Sequence, residues 1–178
     1  MENTPKYILV HCSDVSYITS TDQLKQVNEY HRDIRGFPVS SLRYHVGYHR
    51  FITGGRNNQC RLDTDEGAHC NTVVDGVTMN LQSLGICIGF DGDVEMPTTS
   101  DANMLRDQIL TWQKQYNIPT ERVMFHRDFD TKGKTCPGTK ITRAWLIKLL
   151  DTSKLAPTFE LSLVQRFIAL WIKLFKTN

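Results

Sequence analysis

Short apolar runs alternate with amphipathic stretches along most of the chain. Tyr7-Ile8-Leu9-Val10 is uninterrupted and β-favouring, the pattern of a buried strand. Tyr48 to Thr53 reads as a second strand, closed by the turn Gly54-Gly55. Leu84 to Phe90 (LGICIGF) reads as a third, with glycines where other backbone can approach closely. Val123-Met124-Phe125 is a fourth, short strand. Between the strands lie helical patterns. Ser20 or Thr21 is expected to cap a helix through about Asp33, with Leu24, Val27 and Tyr30 or His31 on one face. Gly36 and Pro38 then break the chain. Thr99 or Ser100 is expected to cap a longer helix through about Tyr116, whose Leu105, Ile109 and Trp112 keep i, i+4, i+7 spacing; Pro119 prevents its continuation. A third helix is expected from about Ile141 to Leu150. This alternation predicts an α/β domain: a central mixed β-sheet of at least four strands, flanked by helices.

The pattern changes at the C-terminus. TSKLAPT (152–158) has the composition of a linker, and FELSLVQRFIALWIKLFK (159–176) is bulky and apolar except for one narrow stripe of Ser162, Gln165, Arg166, Lys173 and Lys176. As a C-terminal amphipathic helix it is roughly 27 Å long at about 1.5 Å per residue. Arg166 and Lys173 inside the run argue against a membrane span. Three uses stay open: packing on its own domain, lying on a membrane surface, or self-association with a second copy. The expected organisation is a domain over 1–151, a linker over 152–158 and a helix over 159–178.

Composition narrows the function classes. The 178 residues are 40% apolar and 22% charged with a net charge of +2, as in a soluble globular protein of single-domain size. No block of like charges occurs, so no nucleic-acid partner is indicated. The start, MENTPKYILVHC, lacks the basic and apolar regions of a secretory signal, and a cytoplasmic site of synthesis is expected. The five cysteines form no CxxC pair, and Cys12, Cys60, Cys70 and Cys87 are expected to be small apolar fillers with reduced thiols.

The candidate chemistry sits at strand ends. His11 follows YILV and His126 follows VMF, and ends of strands in α/β sheets aim side chains into an open crevice. His126 opens a polar loop, FHRDFDTKGKTCPG (125–138), that carries Cys136 ten positions on (136 − 126 = 10). Two imidazoles and a thiolate suit zinc with an open fourth position, and the thiolate argues against Mg2+ or Ca2+. The same atoms would also suit a Cys–His nucleophilic pair, although Cys136 precedes Pro-Gly on a turn rather than opening a helix, which favours a ligand. Spacing alone leaves these readings open. Asp128 and Asp130 in this loop read as supporting or solvated residues, and His31, His45 and His49 as structural or solvated.

Five pieces in order, YILVHCS (7–13), VGYHRFI (46–52), GAHC (67–70), NLQSLGICIGF (80–90) and FHRDFDTKGKTCPG (125–138), resemble the zinc-dependent N-acetylmuramoyl-L-alanine amidases. That superfamily joins type-2 amidases, phage lysozyme amidases and peptidoglycan recognition proteins. The resemblance implies their fold, with His11, His126 and Cys136 as Zn2+ ligands and Tyr48 and Lys134 as catalytic residues. It further implies His69 and Asn80 at the substrate cleft. The activity implied is hydrolysis of the amide between N-acetylmuramic acid and L-alanine of peptidoglycan, in a phage-type endolysin. The alternatives are a non-catalytic peptidoglycan-binding module and a cytosolic amidase recycling muropeptides. Cys136 favours an enzyme, because non-catalytic members of the superfamily typically lose that cysteine.

Overall fold

The computed structural model describes residues 2–17, 22–130 and 132–152. In chain order the elements are β1 (Tyr7–Cys12), α1 (Gln23–Asp33), β2 (Arg50–Thr53), β3 (Arg56–Gln59), β4 (Val73–Val74), β5 (Val77–Thr78), β6 (Ser83–Ile88), α2 (Thr99–Tyr116), β7 (Val123–Phe125) and α3 (Arg143–Leu150). Five strands form one sheet in the order β3-β2-β6-β1-β7, and β4 and β5 pair as a separate hairpin. β2, β6, β1 and β7 run parallel and β3 runs antiparallel to β2, so the sheet is mixed, as the sequence pattern predicts.

The two central strands explain the architecture. β1 lies between β6 and β7, and both β1 and β6 are buried on both faces, as uninterrupted apolar strands of a parallel sheet should be. Successive side chains go to opposite faces. Ile8 and Val10 join Leu84, Ile86 and Ile88 of β6, Val123 and Phe125 of β7, and Leu105, Ile109 and Trp112 of α2 in the main core, which Leu146 of α3 completes. Leu9 packs instead with Cys70 and Met79, while Val27 of α1 packs with Phe51 and Cys87. The face opposite α2 and α3 is therefore only partly covered by apolar packing. His11 belongs to that face because it is two residues beyond Leu9.

Several boundaries differ from expectation for local reasons. Asp22 caps α1 by accepting from the Lys25 N–H; the expected caps Ser20 and Thr21 lie outside the described residues. Thr98 caps α2 through the Asp101 N–H, so Thr99 and Ser100 sit inside its first turn. Thr142 caps α3 through the Trp145 N–H, so the helix starts at Arg143, two residues after the expected Ile141. Tyr48 precedes β2 rather than opening it. The Gly47 N–H donates to His31 Nδ1 and its carbonyl accepts from Ala68, which bends the chain away from strand pairing. β3 (RNNQ) was not expected: it is a polar edge strand, joined to β2 through Gly54 and Gly55, both at positive φ. The expected linker and helix over 153–178 lie outside the described residues.

Candidate metal centre and cleft

Two strand ends and one loop converge on the partly covered face. His11 is the fifth residue of β1, and His126 directly follows β7, its neighbour in the sheet. Cys136 returns on the loop that His126 opens. One donor atom from each of His11, His126 and Cys136 lies within 4.8 Å of the others. Cys136 Sγ is 3.7 Å from His11 Nδ1, and the His11 and His126 rings stand 4.6 Å apart.

The loop reaches this position because it is fastened at several points. The Arg127 N–H donates to the Cys136 carbonyl at 2.9 Å. The Arg127 guanidinium stacks over Phe125 at 4.4 Å and donates to the carbonyls of Thr135, Gly138 and Ile141 at 3.0, 2.7 and 2.6 Å. Asp93 accepts from the Thr135 hydroxyl and the Thr139 N–H at 2.6 and 2.7 Å, hydrogen bonds that hold its carboxyl below the usual carboxylate range. Asp128 accepts from the Phe125 N–H, so it braces the turn after β7. Gly138 touches the backbone of Gly92 so closely that a Cβ would lie 2.0 Å from the Gly92 carbonyl carbon.

The electrostatics suit a cation held by neutral donors. Burial, with His126 and His69 adding to it, pushes His11 well below the ordinary imidazole pKa; burial and Lys134 lower His126. Both rings are thus neutral near pH 7 and offer lone pairs. The contact with Cys12 and burial push the Cys136 thiol up, so a bound cation would have to displace its proton. Two imidazoles and a thiol are a zinc donor set, with room for water or substrate in the fourth position.

The site lies in an open cleft of about 650 Å³. Tyr48 stands beside it, its ring 4.8 Å from that of His11 and 5.6 Å from His31. Burial pushes the Tyr48 hydroxyl well above its ordinary pKa, which keeps it protonated and able to donate. Lys134 lines the cleft, 52% exposed, with Nζ 3.7 Å from Asp130. His69 and Asn80 also border the cleft, but both are engaged inside the protein. His69 Nδ1 is 3.2 Å from His11 Nε2, and Asn80 Oδ1 accepts from the His69 and Cys70 N–H groups at 2.9 and 2.8 Å.

The structure adds residues that sequence reasoning passed over. His31, Arg35 and Phe37 line the arm of the cleft beside α1. His31 is buried and lowered to about 4, first by burial and then by Arg35 and Arg61, which selects the structural over the solvated of the two expected readings. Its i+4 spacing from Val27 puts it on the apolar face of α1, as one of the two residues expected there. His45 and His49 are structural: His45 Nδ1 bonds the Phe37 carbonyl, and His49 bridges the Gly85 N–H and the Asp65 carbonyl. Arg127 carried no signal beyond its place next to His126.

The N-acetylmuramoyl-L-alanine amidase (type 2) family profile matches residues 1–139, and the chain belongs to that family. None of the curated proteins matches the sequence significantly. Among solved structures, the chain is similar to the N-acetylmuramoyl-L-alanine amidase LysC from Clostridium intestinale URNW. The TM-score is 0.64 at 21% identity, over 86% of each chain. It is similar to the Ph2119 endolysin from the Thermus scotoductus MAT2119 bacteriophage Ph2119, with TM-score 0.62 and 18% identity over 83% of this chain and 86% of that one. Wild-type Drosophila PGRP-LB also matches, with TM-score 0.59 and 21% identity over 86% of this chain and 82% of that one. At these identities the likeness establishes a shared fold: the mixed sheet with flanking helices is that of amidases and peptidoglycan recognition proteins.

Proposed function

We propose that the protein is a zinc-dependent amidase that hydrolyses the bond between N-acetylmuramic acid and L-alanine of peptidoglycan, acting as a phage-type endolysin. The observation that carries this reading is the grouping of His11, His126 and Cys136 at an open cleft, which His126 and Cys136 line, in a chain of this family. The likeness to an amidase and to a phage endolysin supports the setting.

His11, His126 and Cys136 would hold the zinc, which when bound supplies a water of pKa about 7 and a Lewis acid for the scissile carbonyl. The protein's own groups do the rest. An amide is slow to cleave because resonance weakens the carbonyl as an electrophile and the amine as a leaving group. Negative charge therefore gathers on the carbonyl oxygen as the bond breaks, and donors placed in advance stabilise it. Lys134 brings a cation to the rim, and Tyr48 brings a hydroxyl that burial keeps protonated. The neutral His11 and His126 leave the cleft without a competing positive charge from the imidazoles. The polar rim of the loop and the aromatic arm formed by His31 and Phe37 match a substrate that is part sugar, part peptide.

The test is incubation with purified peptidoglycan and detection of newly freed L-Ala amino groups, with chelator and with zinc restored. Release that chelator abolishes and zinc restores is expected. No release in zinc-replete buffer leaves a binding module, and release that survives complete zinc removal eliminates the metal mechanism in favour of a Cys–His hydrolase.

A further inference from the structure

His11 uses both ring nitrogens. Its Nδ1 faces the Cys136 thiol at 3.7 Å, and its Nε2 faces His69 Nδ1 at 3.2 Å. A neutral imidazole has one proton, so only one nitrogen can offer a lone pair to a metal. Which one does so is decided by the hydrogen bond the other makes. If Nε2 carries the proton and donates it to His69, Nδ1 is left with its lone pair directed to the side where Cys136 and His126 stand.

His69 is built to be that acceptor. Its backbone N–H and that of Cys70 are both held by Asn80 Oδ1. Its ring lies in a slot made by two glycines: a Cβ at Gly67 would come within 2.5 Å of the ring, and one at Gly85 within 2.7 Å. The residue is 8% exposed. Its far nitrogen, Nε2, is buried toward the Ser83 backbone but makes no hydrogen bond of normal geometry. A buried N–H without a good partner is unfavourable. The fold accepts this poorly satisfied nitrogen and two obligatory glycines to place the opposite lone pair, on Nδ1, against His11.

We propose that His69 is a positioning residue for the metal centre: by accepting the His11 Nε2 proton it holds His11 in the tautomer and orientation that presents Nδ1 as a ligand. This differs from the contact with substrate that the family resemblance implies for His69, and it places a residue from the loop before β4 in the support of a ligand on β1. The inference rests on the zinc reading above. Outer partners of ligand histidines typically account for about 10–100-fold in metal affinity.

The experiment measures zinc affinity by competition with a chromophoric chelator in purified wild type, H69L, H69Q and G85A. Visible spectra of the Co2+-loaded proteins are recorded alongside, and folding is checked by circular dichroism. H69L keeps bulk without an acceptor, and is expected to bind zinc about 10–100-fold more weakly with an altered Co2+ spectrum. H69Q restores an acceptor oxygen and is expected to recover most of the affinity. G85A leaves every ligand and His69 itself in place but crowds the ring, and is expected to weaken zinc binding about tenfold or more. Folded H69L or folded G85A binding zinc within twofold of wild type overturns the proposal, as does H69Q no better than H69L. Should H69L not fold, G85A decides the matter alone. If wild type itself binds no zinc, the metal reading fails with it; if wild type binds and the variants do too, only the role of His69 is lost.

Discussion

Lys134 and Tyr48 separate two tasks at the level of single side chains. Lys134 is half exposed and paired with Asp130 at 3.7 Å, so its removal should leave the fold nearly untouched. Lys134→Ala is expected to lower kcat on the order of a hundredfold while bound zinc per chain, read by metal analysis, stays at the wild-type level. Cys136→Ala and His11→Ala are expected to lose the zinc itself. A different single-residue effect follows from the buried imidazoles. His31 and His49 are both lowered to about 4, chiefly by burial. The unfolded chain takes up protons on these rings near pH 6.5, the folded chain only near 4. Stability from this source is therefore complete above pH 6.5 and is lost as pH falls toward 4, on the order of 2–3 kcal/mol for each ring. Urea unfolding of the metal-free protein between pH 7 and 4 measures it; a flat profile refutes the burial assigned to these residues.

At the scale of elements, Arg127 fastens the ligand loop from its start. Its guanidinium ties three loop carbonyls, and its N–H ties the Cys136 carbonyl. Arg127→Ala is expected to destabilise the loop by about 1–3 kcal/mol and to speed amide hydrogen exchange over 132–138, with weaker zinc binding as the consequence. Unchanged exchange there would show that Asp93 and the Gly92–Gly138 contact hold the loop unaided. The elements also show which patterns a sequence can carry. β1 and β6 were legible because a strand buried on both faces is a largely unbroken apolar run, and β7, although at an edge, because it puts Val123 and Phe125 into the core. α2 was legible because its burial falls on one stripe, Leu105, Ile109 and Trp112. β3 was not, because an edge strand with one partner needs no apolar side chains; RNNQ is paired by its backbone alone. The β4–β5 hairpin, two residues a side about Asp75-Gly76, is too short for any periodicity.

Over the whole molecule, the main core joins all four parallel strands of the sheet to α2 and α3, and α3 closes it with Leu146 and Leu150. The family match ends at residue 139 and the described fold at 152. Deleting 159–178 is accordingly expected to leave a folded, zinc-binding protein with wild-type cleavage of soluble peptidoglycan fragments, checked by melting temperature and amino-group release. Loss of folding would instead assign that segment to the domain's own packing, and loss of vesicle binding with activity retained would assign it to a membrane surface. Among the described residues no helix is long and apolar enough to cross a membrane.

Local pattern marked His11, His126 and Cys136 as candidates, each at a strand end or a turn, and the resemblance of five ordered segments to the amidase family joined them into one set. The α/β class and the places of its main strands along the chain followed from the burial that apolar runs demand, while their order in the sheet came only from the tertiary structure. Tertiary structure alone decided how those residues are supported. His69 meets His11 across 58 positions of chain, His31 turns toward Tyr48, and the slot for the His69 ring needs Gly85 from the strand beside β1. Such contacts leave no periodic trace, because they depend on distances between elements that the register of the sheet sets and no single segment encodes.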